Sequence, residues 1–215
     1  ELPFFDIKLL SPDLVKSKSD FEIEEKNIRF GLNAIKGVSD KVLQNLLAFR
    51  QKEFSDKVDC FDAAKEAGLN IGVLSSLIQA GTLSSFGDRR CRLVLEAQSY
   101  NILSDREKRN IKLVAAKYNF DVLKAIADLV NNKLAGDDAK PFMTEKRFIT
   151  FRAKYDSYKK IYEMNKTHEK FANWFFEKKL LGYSYTHKLR EVFSEEDEQR
   201  LLTTYETVSY THLRA

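Results

Sequence analysis

Cysteine, proline and glycine are scarce in this sequence: two, three and eight among 215 residues. Cys60 and Cys91 lie far apart, without CxxC spacing and with no histidine close to either. A disulfide framework or a zinc site needs more ligands than that, so both read as buried or half-buried thiols in a reducing compartment. No apolar run approaches the ~20 residues that a membrane-spanning helix requires. The opening, Glu1-Leu2-Pro3-Phe4-Phe5-Asp6, has neither the basic stretch nor the apolar core of a signal peptide. A cytoplasmic chain with no membrane partner is the expectation. With Glu1 in place of an initiator Met, it is expected to begin inside a longer reading frame.

What is abundant is charge and apolar surface in ordinary proportion. Charged residues make up 32% of the chain and hydrophobic ones 43%, which with so little Gly and Pro favours a mainly α protein. The length suffices for one large domain or two small ones. A formal net charge of +4 is too small to identify a nucleic-acid partner, so the placement of the positive charge has to decide.

Along the chain, residues 1–29 read as extended. Phe21-Glu22-Ile23-Glu24 alternates, a polar Glu25-Lys26-Asn27 comes next, and Ile28-Arg29-Phe30 resumes, so two short strands around a turn are predicted. From 30 to 50 the period becomes helical. Leu32 and Ile35 share a stripe, Lys36-Gly37-Val38-Ser39 interrupts it, and Val42, Leu43, Leu46, Leu47 and Phe49 continue. Ser39 is a natural N-cap, and Asp40 suits the positive end of the dipole. A second helix pair is predicted over 61–80, stopped first by Gly68 and then by Gly81, with Asn70 as the intervening cap. Another helix spans 88–103. Ser104 with Glu107 forms a capping box, 121–134 is amphipathic, and 135–141 reads as a linker. Residues 144–181 read as one long basic and aromatic helix ended by Gly182.

The turn Lys36-Gly37-Val38-Ser39 carries the clearest chemistry. A hairpin between helices can hold a phosphate on backbone N–H groups at the start of the second helix, where the dipole favours an anion. Gly37 allows positive φ and close approach, Val38 would tuck inward, Ser39 adds a hydroxyl, and Lys36 and Lys41 add charge. Such contacts fix position on a duplex without reading its sequence. A second turn around Gly81, followed by Arg89 and Arg90, would let a tandem pair grip both strands.

The segments "SPDL", "FEIEEKNIRFGLNAIKGVSDKVLQNLLAFRQ" and "LSSLIQAGTLSSFGDRR", in that order and spacing over residues 8–95, resemble the DNA polymerase III alpha family. The similar region comes after the fingers in that family. Phe30-Gly31-Leu32-x-Ala34-Ile35-Lys36-Gly37-Val38 and Leu77-Ile78-x-Ala80-Gly81 are the most specific pieces. "WFFEKKLLGYSYTHKL", residues 174–189, resembles the stretch leading into that family's OB domain, whereas 104–165 carries no resemblance. This implies a tandem helix-hairpin-helix domain that holds duplex DNA, the primer-template, behind a polymerase site. Lys36, Gly37, Val38, Ser39, Lys41, Gly81, Arg89 and Arg90 are its DNA-binding candidates. Two departures stand out: Ser39 occupies the place of a usual second Gly, and Thr82-Leu83-Ser84 replaces a more usual Ala-Phe-Asp.

The family's Asp-x-Asp palm motif, which would hold two divalent ions, expected to be Mg, in the parent polymerase, is absent. Gly136-Asp137-Asp138 lacks β-forming flanks and reads as linker. No cofactor is expected on this piece, and no catalytic residue is nominated. A sliding clamp and other replisome subunits are implied partners, with residues 98–103 the faint candidate for a clamp peptide. The aromatics of the long helix, Phe148, Phe151, Tyr155, Tyr158, Tyr162 and Phe171, recur at core-facing intervals, with the lysines read as a solvated rim. Residues 208–215 back-translate into the end of a transposase-type sequencing adapter and are set aside.

The expected organisation is a fingers-like extended segment over 1–29 and a tandem helix-hairpin-helix domain over 30–103. Beyond it come a helical region leading toward an OB domain, over 104–190, and an acidic end over 191–207. Competing readings are a helical protein-interaction module, and an orphan helix-hairpin-helix DNA-binding or repair module. A base-excision enzyme would need a flipped-base pocket with a catalytic Asp, and none is evident.

Overall fold

A computed structural model describes residues 7–52, 54–131 and 140–193. The architecture is mainly α. A small sheet at the N-terminal side joins β1 (Leu9–Leu10), β2 (Glu22–Glu24) and β3 (Asn27–Arg29) in the order β1-β3-β2, with β1 parallel and β2 antiparallel to β3. The predicted two-strand hairpin is present, turning at Glu25 with φ +57°. The added strand β1 carries no alternation long enough to read.

Nine helices come after the sheet among the described residues: α1 (Asp40–Arg50), α2 (Lys57–Glu66), α3 (Ile71–Ala80), α4 (Arg90–Asn101), α5 (Asp105–Val114), α6 (Val122–Asn131), α7 (Glu145–Thr167), α8 (Glu169–Leu181) and the short α9 (Leu189–Val192). Their starts are set locally. Asp56 accepts from the Val58 and Asp59 amides, and Asn70 accepts from Val73. Ser104 and Glu107 complete the capping box of α5. These bonds satisfy amides that a helix start otherwise leaves without partners. The stops at Gly81 and Gly182 are left-handed caps, at φ +89° and +82°.

Two expectations are corrected. The stretch carrying Leu32 and Ile35 is only a 3-10 turn, Leu32–Ala34, because a single i, i+3 pair fits that tighter winding as well as it fits an α-helix. The long basic helix is broken at His168 (φ −117°, ψ 49°) into α7 and α8. Its aromatic stripe reaches the core only near the start of α7. Phe151 is buried, whereas Ile161, Met164, Phe171 and Phe175 are exposed. The proposed linker over 135–141 falls mostly outside the described residues, as do the Gly136-Asp137-Asp138 turn, the acidic end beyond 193 and the adapter-like tail.

One continuous core runs through α1 to α8, with Leu32, Ile35, Leu46, Phe49, Leu77, Ile78, Leu93, Tyr100, Ile111 and Phe142 almost fully buried. Each large apolar side chain so placed contributes roughly 1.5–3 kcal/mol relative to exposure. An ionic chain with Lys57 and Glu96 buried at its centre runs along this core to partly exposed ends. Lys57 of α2 reaches Asp88 at 2.8 Å and Glu96 of α4 at 2.7 Å. Glu96 also receives Arg92 at 3.0 Å, and Arg92 closes on both oxygens of Asp121. Glu107 plays a similar part for α7, accepting Arg147 on both oxygens at 2.9 and 2.8 Å.

Candidate nucleic-acid interface

The turn before α1 is built as a phosphate cradle would be. Val38 donates its amide to Ile35 and packs against the core, which ties the 3-10 turn to α1. Gly37 adopts φ +98°, and a Cβ placed there would meet nothing within 4 Å. The left-handed conformation therefore serves the turn itself and leaves its outer side open. Lys36, Gly37, Ser39 and Lys41 are all exposed. Ser39 caps α1 only loosely, accepting from Val42 at 3.5 Å. Among the described residues, the amides of Gly37, Ser39, Asp40 and Lys41 have no hydrogen-bond partner. Unpaired N–H groups clustered at a helix start, beside two lysines, form a ready anion site.

The second turn is arranged differently. Gly81 is buried, and a Cβ on it would lie 2.0 Å from the Tyr185 hydroxyl and 2.8 Å from an Arg90 nitrogen. Arg90 is drawn inward by Glu177, which is fully buried, and donates as well to the Gln79 carbonyl and to Tyr185 Oη. The structure thus gives Gly81 and Arg90 internal work and places neither on an open face. The reason is steric and electrostatic together: the segment after α8 fills the space above Gly81, and an uncompensated buried Glu177 would be costly without its cation. What the second hairpin does present is Gly87, left-handed at φ +73° with open space beyond it, and Arg89, whose side chain is 65% exposed. Arg89 stands at the N-cap of α4 and does not cap it with its side chain.

The expected sites therefore divide. Lys36, Gly37, Val38, Ser39 and Lys41 come together at one turn, Arg89 stands at the other, and Gly81 and Arg90 lie beneath. Sequence reading missed Glu177, Leu180 and Tyr185. The Lys36 amide donates to the Leu180 carbonyl at 2.8 Å, which sets the end of α8 against the first turn. Glu177 sits among charged and aromatic neighbours and carries no sequence signal that would mark it as buried. Residues 98–103 form the last turn of α4 and the bend after it, with Tyr100 and Leu103 buried, so they are not displayed as a free peptide. Among the described residues no group of three His, Cys, Asp or Glu side chains could hold a metal ion.

Residues 6–93, which include the turn before α1 and its exposed amides, match the family described as the helix-hairpin-helix motif. The particular relatives are DNA polymerase III alpha subunits. The chain is 35% identical over 89 residues to that of Saccharopolyspora erythraea, covering 40% of this chain and 8% of the relative. It is 34% identical over 93 residues to that of Ureaplasma parvum, covering 42% and 10%, and 32% identical over 90 residues to that of Bacillus subtilis, covering 41% and 8%. Residues 6–93 are thus similar to a helix-hairpin-helix region found in alpha subunits, and the match spans a tenth or less of each of these relatives.

Proposed function

We propose that this chain holds duplex DNA as a non-catalytic part of a replicative DNA polymerase, gripping phosphates through backbone amides. The observation that carries the reading is the first turn: unpaired amides at Gly37, Ser39, Asp40 and Lys41, an open side at Gly37, and exposed Lys36 and Lys41. The second contact is assigned to Gly87, Arg89 and the start of α4. Gly81 and Arg90 support it from below. The similarity to alpha subunits supports the replicative setting and the primer-template as the duplex. Polymerisation itself, its Mg ions, the sliding clamp and other replisome subunits belong to the parent protein under this proposal.

The test is binding of the chain to short duplexes of unrelated sequence over a range of salt. Amide and lysine contacts to phosphate predict sequence-independent affinity, with log K falling by about 0.9 per neutralised phosphate for each unit of log salt. No affinity at low salt, or affinity indifferent to salt, would refute it.

A further inference from the structure

Residues 177–186 touch both hairpins, although they lie far from either in sequence. At the first hairpin, the Lys36 amide donates to Leu180 O at 2.8 Å, and Tyr183 stacks on Phe30 with ring centroids 6.0 Å apart. At the second, Tyr185 Oη donates to the Ala80 carbonyl at 2.8 Å and receives Arg90 Nη2 at 2.8 Å, directly over Gly81. Glu177 organises the segment between these contacts. Its side chain is 0% exposed, and its Oε2 accepts from Ser184 Oγ at 2.7 Å, the Tyr185 amide at 2.9 Å and the Thr186 amide at 3.0 Å. Its Oε1 accepts from Arg90 and from the Thr186 hydroxyl. A buried carboxylate with every lone pair engaged holds one geometry, because any shift leaves a charge without a partner in low dielectric.

We propose that residues 177–186 act as a strap that fixes the two hairpin turns at one separation and orientation, with Glu177 and Tyr185 as positioning residues that do not touch DNA. The inference rests on the duplex-holding reading above. Two turns reach two strands of a rigid duplex together only if their spacing is preset. Bound independently, each would contribute a weak contact and the second would gain little from the first. At Gly81 the left-handed cap already favours glycine, and the Tyr185 hydroxyl occupies the volume that a Cβ would need. In this arrangement the DNA-holding unit is not confined to residues 30–103. It is completed by a return of the chain, at the end of α8 and beyond, after the excursion through α5 to α7.

Two measurements on the full chain test this. Spin labels carried by non-natural amino acids at the exposed positions 41 and 89 report the distance between the turns, and duplex binding against salt reports how many phosphates are held. Tyr185→Phe keeps the ring and removes one hydroxyl. Its two hydrogen bonds, to the Ala80 carbonyl and from Arg90, are lost together, and at the low end of ~0.5 kcal/mol net each this corresponds to about fivefold in an equilibrium constant. The expected result is a broader distance distribution, duplex affinity about fivefold weaker and a salt slope shallower by about one phosphate, with helical circular dichroism unchanged. Glu177→Gln is expected to move both readouts further in the same direction. An unchanged distance distribution and slope in folded Tyr185→Phe and Glu177→Gln proteins would overturn the strap. If the unmodified chain fails to bind duplex at low salt, the proposed function falls instead, and the distance measurement still decides whether the segment sets the spacing.

Discussion

Replacing Gly37 separates backbone strain from side-chain collision, because only the first can operate there. The residue sits at φ +98°, and a Cβ would meet nothing within 4 Å. Gly37→Ala therefore introduces no overlap, and its whole effect is the left-handed penalty of roughly 1–2 kcal/mol for an L-residue. Gly37→Val adds a β-branch that tolerates this region still less. The chain can absorb the strain or relax the turn toward negative φ. Relaxation swings the amides of Gly37, Ser39 and Asp40 out of register, and each charge-assisted bond to phosphate is worth about 1.5–3 kcal/mol. Losing one lowers duplex affinity about 10- to 100-fold. Fluorescence anisotropy with labelled duplexes of several sequences, at about 50 and 200 mM salt, measures it. The expected order is Gly, then Ala, then Val, with equal loss on every sequence. A loss confined to particular sequences would mean base contacts, and an unchanged affinity in a folded Gly37→Val protein would mean that this turn does not hold DNA.

Other consequences are open to simple tests. Burial alone would raise the pKa of Glu177, but bonds from the Thr186 hydroxyl and amide, Arg90 and Ser184 outweigh it and hold the carboxyl below its ordinary 4.5. A folded value below the unfolded one gives stability that is complete above the unfolded value and is lost as pH falls through the folded one. Acid unfolding below about pH 4.5 should therefore be less steep in Glu177→Gln, as circular dichroism against pH would show. Burial pushes the buried Cys60 thiol up to about 12, and the half-buried Cys91 is also raised, first by burial and then by Glu169. A thiol reagent at mildly alkaline pH should accordingly modify Cys91 first and reach Cys60 only on unfolding. Glu107→Gln removes the charge that receives Arg147, where the carboxylate is 4% exposed. It should cost roughly 3 kcal/mol in urea denaturation, and a cost near zero would make that pair incidental.

The parts of the fold that could be read from sequence are those decided within a few residues. Asn70 and Ser104 announce helix starts because a short polar side chain meets an amide two or three positions on. Gly81 and Gly182 announce stops because only glycine enters the left-handed cap cheaply. The first hairpin was legible for the same reason: its glycine, its cap and its lysines are contiguous. The break at His168 was not, since Asn165-Lys166-Thr167-His168 contains neither Gly nor Pro and only mildly disfavours helix. A run of weak helix formers between two helical stretches is the signal that was available there.

Arg90 shows where local reading stops being sufficient. Beside Arg89, after a glycine turn and at a helix start, it has every local mark of a phosphate ligand, and its neighbour remains on the surface at 65% side-chain exposure. What separates the two is Glu177, 87 positions away. Two arginines on adjacent residues cannot point the same way at a helix start, so one faces solvent and the other faces whatever packs behind. The inward one is stable only if a carboxylate waits there, and a buried carboxylate is stable only if a cation arrives. Each residue is therefore explicable only through the other, and no window along the chain contains both. A charge-reversed pair, Arg90→Glu with Glu177→Arg, is the natural probe of that dependence, but the amides of Tyr185 and Thr186 donate to Glu177 as well. A guanidinium in that place would leave those donors facing a cation, so the swap cannot restore what either change removes. The asymmetry identifies Glu177, rather than Arg90, as the residue around which the second hairpin is assembled.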